Sequence, residues 1–178
     1  ITIGALTGIA IFNGDCPLVC LQQESQFAVL HAGYRCQVRA DPKEKNIIES
    51  AMEHFDPKQT RAWIWGGIGP CCWLPEYDDK PEILKPELCR HPELLQSCLS
   101  KTTRSPAGPG HVSVDLYKLA RALLIEVGVP VEHVSADPTC ICCAMEDEAP
   151  QYWSFTRFTA GQQSVDGRNF SVAWLEQQ

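Results

Sequence analysis

Residues 16–31 read CPLVCLQQESQFAVLH, two apolar runs on either side of a polar turn. Two short apolar segments joined in this way predict a β-hairpin. With a two-residue turn at Gln23-Glu24, Cys16 would lie directly opposite His31 on one face of the hairpin. The Cβ atoms of directly paired residues lie about 5 Å apart, which suits a shared metal ion or a thiolate–imidazole pair. Both faces of the hairpin are apolar, so we expect it to be buried on both sides.

Two interpretations of Cys16 and His31 are open at this level. In one, Asp15-Cys16-Pro17 presents a thiolate at the start of a strand, with the His31 imidazole beside it. In the other, which composition alone favours, Cys16 is a buried structural cysteine and His31 is a hydrogen-bonded core histidine. Arg35 follows beyond a turn at Gly33 and would place a cation at the mouth of the same site.

Composition limits the classes of protein to which the chain can belong. Its 178 residues, of which 44% are hydrophobic, suffice for the core of a single unit spanning 1–178. No apolar stretch approaches the roughly 20 residues that span a bilayer, so no membrane partner is expected. The net charge of −7 argues against nucleic-acid binding. Ten cysteines, two pairs of them adjacent, favour free thiols in a reducing compartment and hence a cytoplasmic location.

The rest of the pattern mixes strands with two or three helices, which predicts an α+β (or α/β) domain. Strands are predicted over residues 3–12, 61–65, 131–135, 152–158 and 170–175. We expect one helix capped by Asp41 and stopped at Asp56-Pro57. A second helix is expected with an apolar stripe at helical spacing over residues 116–127, capped by Ser113 and ended by Gly128. Six prolines between residues 75 and 110 predict an irregular excursion with one short helix near residues 92–99.

Other groups of polar residues give weaker signals. Residues 66–72 form a glycine-rich loop after a strand, but without a dinucleotide or P-loop pattern. Cys71-Cys72 and Cys140-Ile141-Cys142-Cys143 do not match the ligand spacing of a zinc finger, so no structural zinc site is expected there. Arg157 and Arg168 flank a glycine-containing turn and are candidate ligands for an anion.

Several motifs, in the same order along nearly the whole chain, resemble those of one known family. Gly14-Asp15-Cys16-Pro17-Leu18-Val19 is similar to A-D-C-L-P-V, His31-Ala32-Gly33-Tyr34-Arg35 to H-A-G-W-R-G, and residues 67–72 to the end of G-P-x-I-G-P-C-C-Y. Three further likenesses follow along the chain: D-L-x-x-L-A within residues 114–120, F-F-S-Y-R-R within residues 153–157, and T-G-R within residues 167–169. The family is the YfiH-like, laccase-domain proteins, described as polyphenol oxidases or purine nucleoside phosphorylases. Cys36 and Thr156 depart from its pattern, where it has Gly and Arg.

The resemblance implies a layered αββα sandwich like the YfiH and cytotoxic necrotizing factor catalytic fold. It also implies a metal, zinc or alternatively copper, held by two histidines and one cysteine. Cys16 and His31 match two of these ligands. The third is a histidine in an upstream Q-V-H-G motif that this sequence lacks, so we expect the unit to be N-terminally incomplete relative to the family. His111 and Cys71 are the candidate substitutes.

The resemblance further implies a purine nucleoside phosphorylase-like enzyme that acts on a nucleoside and phosphate, with adenosine deaminase as a side activity. Metal on Cys16 and His31 would activate water or polarise the substrate. Arg35 and Arg157 would hold phosphate, while Asp15 would orient a ligand or act as a base. Phenol oxidation is less favoured, because one such site lacks the multi-copper arrangement of true laccases.

Two alternative functions stay open beside this one. The first is a metal-free hydrolase or deamidase, with Cys16 as the nucleophile and His31 as its base. The second is a catalytically inactive binding remnant, which the incomplete ligand set would explain.

Overall fold

The structure is a computed structural model that describes residues 8–38, 41, 43–74, 90–104 and 109–174. Its strands are β1 (Ile9–Asn13), β2 (Leu18–Gln23), β3 (Gln26–His31), β4 (Arg61–Trp65), β5 (Leu99–Lys101), β6 (Val112–Val114), β7 (Val134–Ala136), β8 (Met145–Glu146), β9 (Ala149–Pro150) and β10 (Asn169–Ala173). Its α-helices are α1 (Tyr34–Gln37), α2 (Ile47–Ala51), α3 (Pro92–Ser97), α4 (Leu116–Glu126) and α5 (Phe155–Thr159). Short 3-10 turns occupy Met52–His54, Pro57–Gln59 and Val131–His133.

A four-stranded sheet, in the order β3-β2-β4-β7, organises the described part of the chain. Strand β2 pairs antiparallel with both β3 and β4, whereas β7 runs parallel to β4. Strands β1 and β10 form a separate antiparallel ribbon, in which Asn13 pairs with Asn169. The mixture of helices with antiparallel and parallel strands confirms the predicted α+β class.

The predicted hairpin forms, but its register differs from the prediction by two residues. Gln23 pairs with Gln26, so the turn consists of Glu24 and Ser25, with Glu24 in the left-handed region at a φ of 49°. His31 consequently lies opposite Leu18, and not opposite Cys16 as predicted. A shift of two residues preserves the face on which each side chain lies, because side chains alternate with a period of two.

Helices α2 and α4 cover one face of the sheet. Val19 and Leu21 of β2 belong to the same buried cluster as Ile48 of α2 and Leu119 and Leu123 of α4. The stripe predicted for α4 is therefore confirmed, as is its end at Gly128, which adopts a φ of 99°. The described residues therefore form one layer of helices that packs on one face of the four-stranded sheet. No helix among them is long and apolar enough to cross a membrane.

The N-caps of the two main helices differ from those predicted. The side chain of Asn46 accepts the N–H groups of Ile48 and Glu49, and the Glu49 carboxylate accepts the N–H of Asn46. This reciprocal capping box starts α2 five residues after Asp41, which instead accepts the N–H of Lys43 in a local turn. Helix α4 is capped by Asp115, whereas the predicted cap Ser113 is buried in β6.

Strand prediction succeeded for residues 61–65 and failed for residues 152–158. That second segment forms helix α5, which begins after Ser154, because tertiary contacts to its N-terminus outweigh its aromatic, strand-like composition. Residues 131–135 are a 3-10 turn followed by β7. Helix α3 and strand β10 confirm the predicted short helix and the predicted last strand. The parts of the predictions that fall on residues 1–7, 75–89, 105–108 and 175, and on Pro42, lie outside the described residues.

Candidate functional site

A pocket of about 680 Å³ opens between the start of the hairpin, helix α1 and helix α5. Cys16, His31, Arg35 and Arg168 all line it. Its size falls within the range of small-molecule sites. The fold therefore brings the two predicted ligand residues and two arginines onto one cavity, although they come from opposite ends of the described sequence.

Cys16 and His31 approach each other around Gly33. The hairpin pairing continues past β3, where the N–H of Ala32 donates to the carbonyl of Pro17 at 2.9 Å. Gly33 consequently lies against Cys16, and a Cβ atom added to it would be 2.8 Å from Cys16 Sγ and 3.8 Å from His31 Cδ2. The thiol and the imidazole thus share a wall of the pocket as diagonal neighbours, which the absence of a side chain at Gly33 permits.

Burial shifts the ionisation of both side chains toward their neutral forms. Burial, followed by the negative charges of Asp15 and Cys36, raises the pKa of the Cys16 thiol to about 11. Partial burial lowers the pKa of His31 below its ordinary value. At neutral pH the pair is therefore a thiol and a neutral imidazole, because burial disfavours the charged form of each group.

The three arginines of interest have different environments. Arg35 is exposed at the mouth of the pocket, as its spacing from His31 predicts. Arg157 is 6% exposed and donates to the carbonyl oxygens of Ile141, Cys142 and Tyr152. Its guanidinium thus donates its hydrogen bonds to backbone carbonyl oxygens. Arg157 does not line the pocket, so the expectation that it would hold phosphate there is wrong. Arg168 lines the pocket in its place, stacked 4.8 Å from the ring centre of Trp153.

Asp15 lies at the pocket edge and holds the N-terminus of α5. Its Oδ1 accepts the hydroxyl of Ser154 at 2.7 Å and the N–H of Phe155 at 3.2 Å. Its Oδ2 accepts the N–H and the hydroxyl of Thr156 at 2.7 and 2.5 Å. Four hydrogen bonds occupy both oxygens, which favours a positioning role for Asp15 over a role as a base.

Aromatic side chains, which the sequence analysis did not single out as site residues, form much of the pocket wall. Tyr34 and Trp73 lie 5.3 Å apart between ring centres, tilted at 50°. Trp153 and Phe155 form a second pair at 6.3 Å. Such rings suit a flat heterocycle. The aromatic positions in the H-A-G-W-R-G and F-F-S-Y-R-R likenesses are the signal from which Tyr34, Trp153 and Phe155 could have been found.

A catalytic zinc ion normally takes three protein ligands and leaves one position open. The thiol of Cys16 and the imidazole of His31 are suitable donors, but no third His, Cys, Asp or Glu joins them among the residues the structure describes. Neither predicted substitute lines the pocket. His111 lies beside β6, where its N–H donates to the hydroxyl of Thr102, and Cys71 belongs to a different group of side chains. The described residues thus supply two ligands of three.

That other group unites the two cysteine segments for which no structural zinc site was expected. The sulfur atoms of Cys71, Cys72, Cys140 and Cys143 all lie within 4.8 Å of one another. Taken separately, neither segment matches a zinc finger; together they supply four thiols, and Cys140 and Cys143 have the C-x-x-C spacing that the sequence analysis overlooked. The expectation is corrected because the fold, not local spacing, brings the two segments together.

The chain is similar to several known proteins. The family described as "Multi-copper polyphenol oxidoreductase laccase" matches residues 1–176. A purine nucleoside phosphorylase of Pseudomonas aeruginosa is 24% identical over 176 residues, or 97% of this chain and 63% of that protein. The purine nucleoside phosphorylase YlmD of Geobacillus stearothermophilus is 28% identical over 113 residues, or 64% of this chain and 38% of that protein.

Solved structures show the same fold. The YfiH protein of Bacillus licheniformis superposes with a TM-score of 0.67 at 21% identity, over 96% of this chain and 58% of that one. The crystal structure of YlmD from Geobacillus stearothermophilus superposes with a TM-score of 0.62 at 22% identity, over 96% of this chain and 57% of that one. The chain thus spans less than two thirds of the length of these relatives. Because the family match covers residues 1–176, the chain belongs to the YfiH-like family described as "Multi-copper polyphenol oxidoreductase laccase".

Proposed function

We propose that the pocket binds a purine nucleoside together with phosphate and catalyses phosphorolysis of the nucleoside. The observation that carries this proposal is the convergence of Cys16, His31 and two arginines on one pocket with aromatic walls. In this reaction the bond between the base nitrogen and C1′ of the sugar breaks. An oxygen of phosphate forms the new bond to C1′, and the base leaves with a proton.

The polar and aromatic groups of the pocket suit the two substrates separately. Arg35 and Arg168 are the cations that would hold the phosphate oxygens, since guanidinium groups recognise phosphate through paired hydrogen bonds. Phe155, which is 46% exposed, and Trp153 both line the pocket and are the aromatic side chains against which a purine would pack. The names of the relatives in Pseudomonas and Geobacillus support the choice of a purine nucleoside.

In the proposed site Cys16 and His31 would be two of the ligands of a zinc ion, and the upstream Q-V-H-G motif that carries the third ligand in the family pattern does not occur in this sequence. When bound, zinc would supply Lewis-acid chemistry. Copper is the alternative metal for the same two donors. The layered αββα sandwich remains our proposal for the complete architecture, supported by the helix layer over the four-stranded sheet.

The metal-free hydrolase is the second candidate, because only Cys16 and His31 are needed for it. The raised pKa of the Cys16 thiol argues against this candidate, since the thiolate is the nucleophilic form. Nucleophilic cysteines normally have a nearby cation that lowers their pKa, and here burial and negative neighbours raise it. The phosphorylase therefore remains the function that the pocket supports best.

The test uses the full-length product of the gene that encodes this chain. Inosine and adenosine are incubated with and without phosphate, and the release of free base is followed by chromatography. We expect release that requires phosphate and falls about a hundredfold or more in Cys16→Ala and His31→Ala. Cys20→Ala is the matched control, because Cys20 is a half-buried free cysteine of the same hairpin that does not line the pocket.

Two results would overturn the proposal. Release of base or ammonia that is independent of phosphate and unaffected by a chelator would favour the metal-free hydrolase. Binding of a nucleoside by calorimetry, without turnover at any zinc concentration, would favour the binding remnant. Equal loss of activity in Cys20→Ala would show that the effect of Cys16→Ala is one of folding.

A further inference from the structure

We propose that Cys71, Cys72, Cys140 and Cys143 bind one zinc ion as a structural site, separate from the pocket that holds Cys16 and His31. This group, called the cysteine cluster below, joins the loop after β4 to the loop between β7 and β8. The proposal rests on the geometry of the four side chains and does not depend on the proposed nucleoside chemistry.

The distances between the sulfur atoms fit a single tetrahedral ion. Zinc–sulfur bonds of about 2.3 Å place the four sulfurs of a tetrahedral site about 3.8 Å from one another. The Sγ atoms of Cys71 and Cys143 are 3.7 Å apart, and all four sulfurs lie within 4.8 Å. Clusters that contain several iron atoms hold their thiolates farther apart, so the spacing points to one ion.

The backbone around the cluster is built to bring the thiols together. A Cβ atom at Gly69 would be 3.0 Å from Cys140 Cβ and 3.3 Å from Cys71 Sγ, so the loops approach closely only because residue 69 is glycine. The N–H of Ile141 donates to the carbonyl of Gly67 at 3.1 Å. The two loops are thus joined by the backbone as well as by the cluster.

The surroundings suit a closed, negatively charged metal centre. Cys72 and Cys140 are buried, while Cys71 and Cys143 are half-buried. Four thiolates would fill every position of a tetrahedral zinc ion, which is the arrangement of a structural site. The N–H groups of Cys143 and Ala144 donate to the carbonyl oxygen of Cys140 at 3.2 and 2.9 Å, so the segment that carries Cys140 and Cys143 is a tight turn held by its own backbone.

A buried cation lies beside the same loop. The guanidinium of Arg157 donates to the carbonyl oxygens of Ile141 and Cys142, within the segment that carries two of the four thiols. Four thiolates around one zinc ion carry a net charge of −2, and each thiol releases its proton when it binds. Arg157 would offset part of this negative charge, which gives a function to an arginine that the pocket does not use.

The position of the cluster links it to the pocket wall. Ile68 and Trp73, on either side of Cys71 and Cys72, both line the pocket. A metal ion at the cluster would therefore fix the loop that forms this wall. The ion would act on the pocket through positioning, without touching a substrate.

The experiment compares the zinc content of the wild-type full-length protein with that of variants, by elemental analysis after purification with zinc present. We expect Cys143→Ser to contain about one zinc ion per chain less than the wild type. Cys20→Ser is expected to keep the wild-type content, because Cys20 lies outside the cluster. Cys16→Ala reports on the pocket alone and is expected to keep the zinc of the cluster, so failure of the proposed function and failure of this proposal are distinguishable.

A second measurement on the wild type decides the matter if Cys143→Ser does not fold. Cobalt replaces zinc in protein stripped of metal, and a tetrahedral site of four thiolates gives an intense visible absorption. Mass spectrometry after alkylation should then show the four cluster thiols protected at least about tenfold by the metal, with Cys20 unprotected.

Equal zinc content in Cys143→Ser and in the wild type would overturn the proposal. So would equal labelling with and without metal, or a wild-type mass lower by two hydrogens from a Cys71–Cys143 disulfide.

Discussion

The carboxylate of Asp15 accepts both the N–H and the hydroxyl of Thr156, at 2.7 and 2.5 Å, although 141 positions separate the two residues. Thr156 stands where the family pattern has an arginine, so a neutral side chain with a short hydroxyl replaces a long cation at this point. The contact joins the loop before β2 to helix α5, and both segments line the pocket. The pair thereby sets the distance between two walls of the site.

Removal of this contact is expected to weaken the fold. Asp15→Ala leaves four donors of α5 without their acceptor and should lower the free energy of unfolding by roughly 1–3 kcal/mol. Thr156→Val removes one of the four bonds and should cost less, about 1 kcal/mol. Urea denaturation measures both, and the double variant gives the coupling between them. Asp137→Ala is the control, since among the described residues that carboxylate accepts two hydrogen bonds, both from Thr139 two positions along the chain; an equal effect there would contradict the prediction.

A side chain at Gly33 is expected to disrupt the wall that Cys16 and His31 share. In Gly33→Ala the new methyl group would meet Cys16 Sγ at 2.8 Å, and overpacking of this kind costs roughly 1–3 kcal/mol. Gly8→Ala is the control, because its nearest neighbours would lie 3.7 Å or more away. The midpoints of thermal unfolding should drop for Gly33→Ala only, and unchanged nucleoside binding by that variant would argue against a shared wall.

Loss of the arginine beside Trp153 is expected to weaken phosphate binding specifically. Arg168→Ala should raise the KM for phosphate about tenfold or more, since a charge-assisted hydrogen bond contributes roughly 1.5–3 kcal/mol. The value of kcat should change much less, because the interaction holds phosphate before and during the reaction. Arg61→Ala, an exposed arginine of β4 outside the pocket, should leave KM unaltered. A KM for phosphate in Arg168→Ala that equals the wild-type value would refute the assignment.

The stability of the region around α2 should depend on pH through Glu49. Burial raises the pKa of Glu49, but hydrogen bonds from the Asn46 N–H, His91 and Arg90 together lower it below its ordinary value. The charged carboxylate therefore stabilises the fold above the pKa of about 4.5 that applies to the unfolded chain, and this stability is lost as pH falls through the lower folded value.

Two substitutions separate the charge of Glu49 from its capping bond. Glu49→Gln keeps an acceptor for the Asn46 N–H and should cost less than about 1 kcal/mol at pH 7, whereas Glu49→Ala should cost more. Urea unfolding at pH 7 and pH 3.5 should show the difference between wild type and Glu49→Gln narrowing at the acidic pH. A difference that is constant across this range would show that the charge contributes nothing.

The local parts of the fold were predictable where local chemistry decides them. The apolar stripe of α4, its stop at Gly128 and strand β4 all follow from spacing alone. The register of the hairpin could not be predicted from spacing, because Gln23-Glu24 and Glu24-Ser25 are equally poor sequences for a tight turn. The pairing of β2 with β4, in which Leu18 lies opposite Trp65, helps to determine the register. Helix α5 was mistaken for a strand because Asp15, the carboxylate that accepts hydrogen bonds from its N-terminus, lies far away in the sequence.

The candidate site was predictable in its residue types and less so in its geometry. The motifs located Cys16, His31 and Arg35, which the fold gathers on one pocket. The same motifs could not tell Arg157 from Arg168, since which guanidinium is buried depends on the loop that carries Cys142. The cysteine cluster escaped prediction for a related reason, because neither of its two segments has a complete ligand pattern alone.

The pairing of β1 with β10 has a consequence for the order in which the protein matures during translation. Strand β1 precedes its partner Asn169–Ala173 by about 160 positions, so β1 leaves the ribosome well before β10. The hairpin and the first helices have sequence-local partners and can assemble first, whereas the β1–β10 ribbon must wait for a contact of very high sequence separation. Aromatic side chains such as Phe12, 64% exposed even in the folded protein, therefore remain unpaired throughout synthesis. Until residues 169–173 have been made, strand β1 therefore lacks the partner that it has in the folded protein, and an unpaired strand edge of this kind favours aggregation.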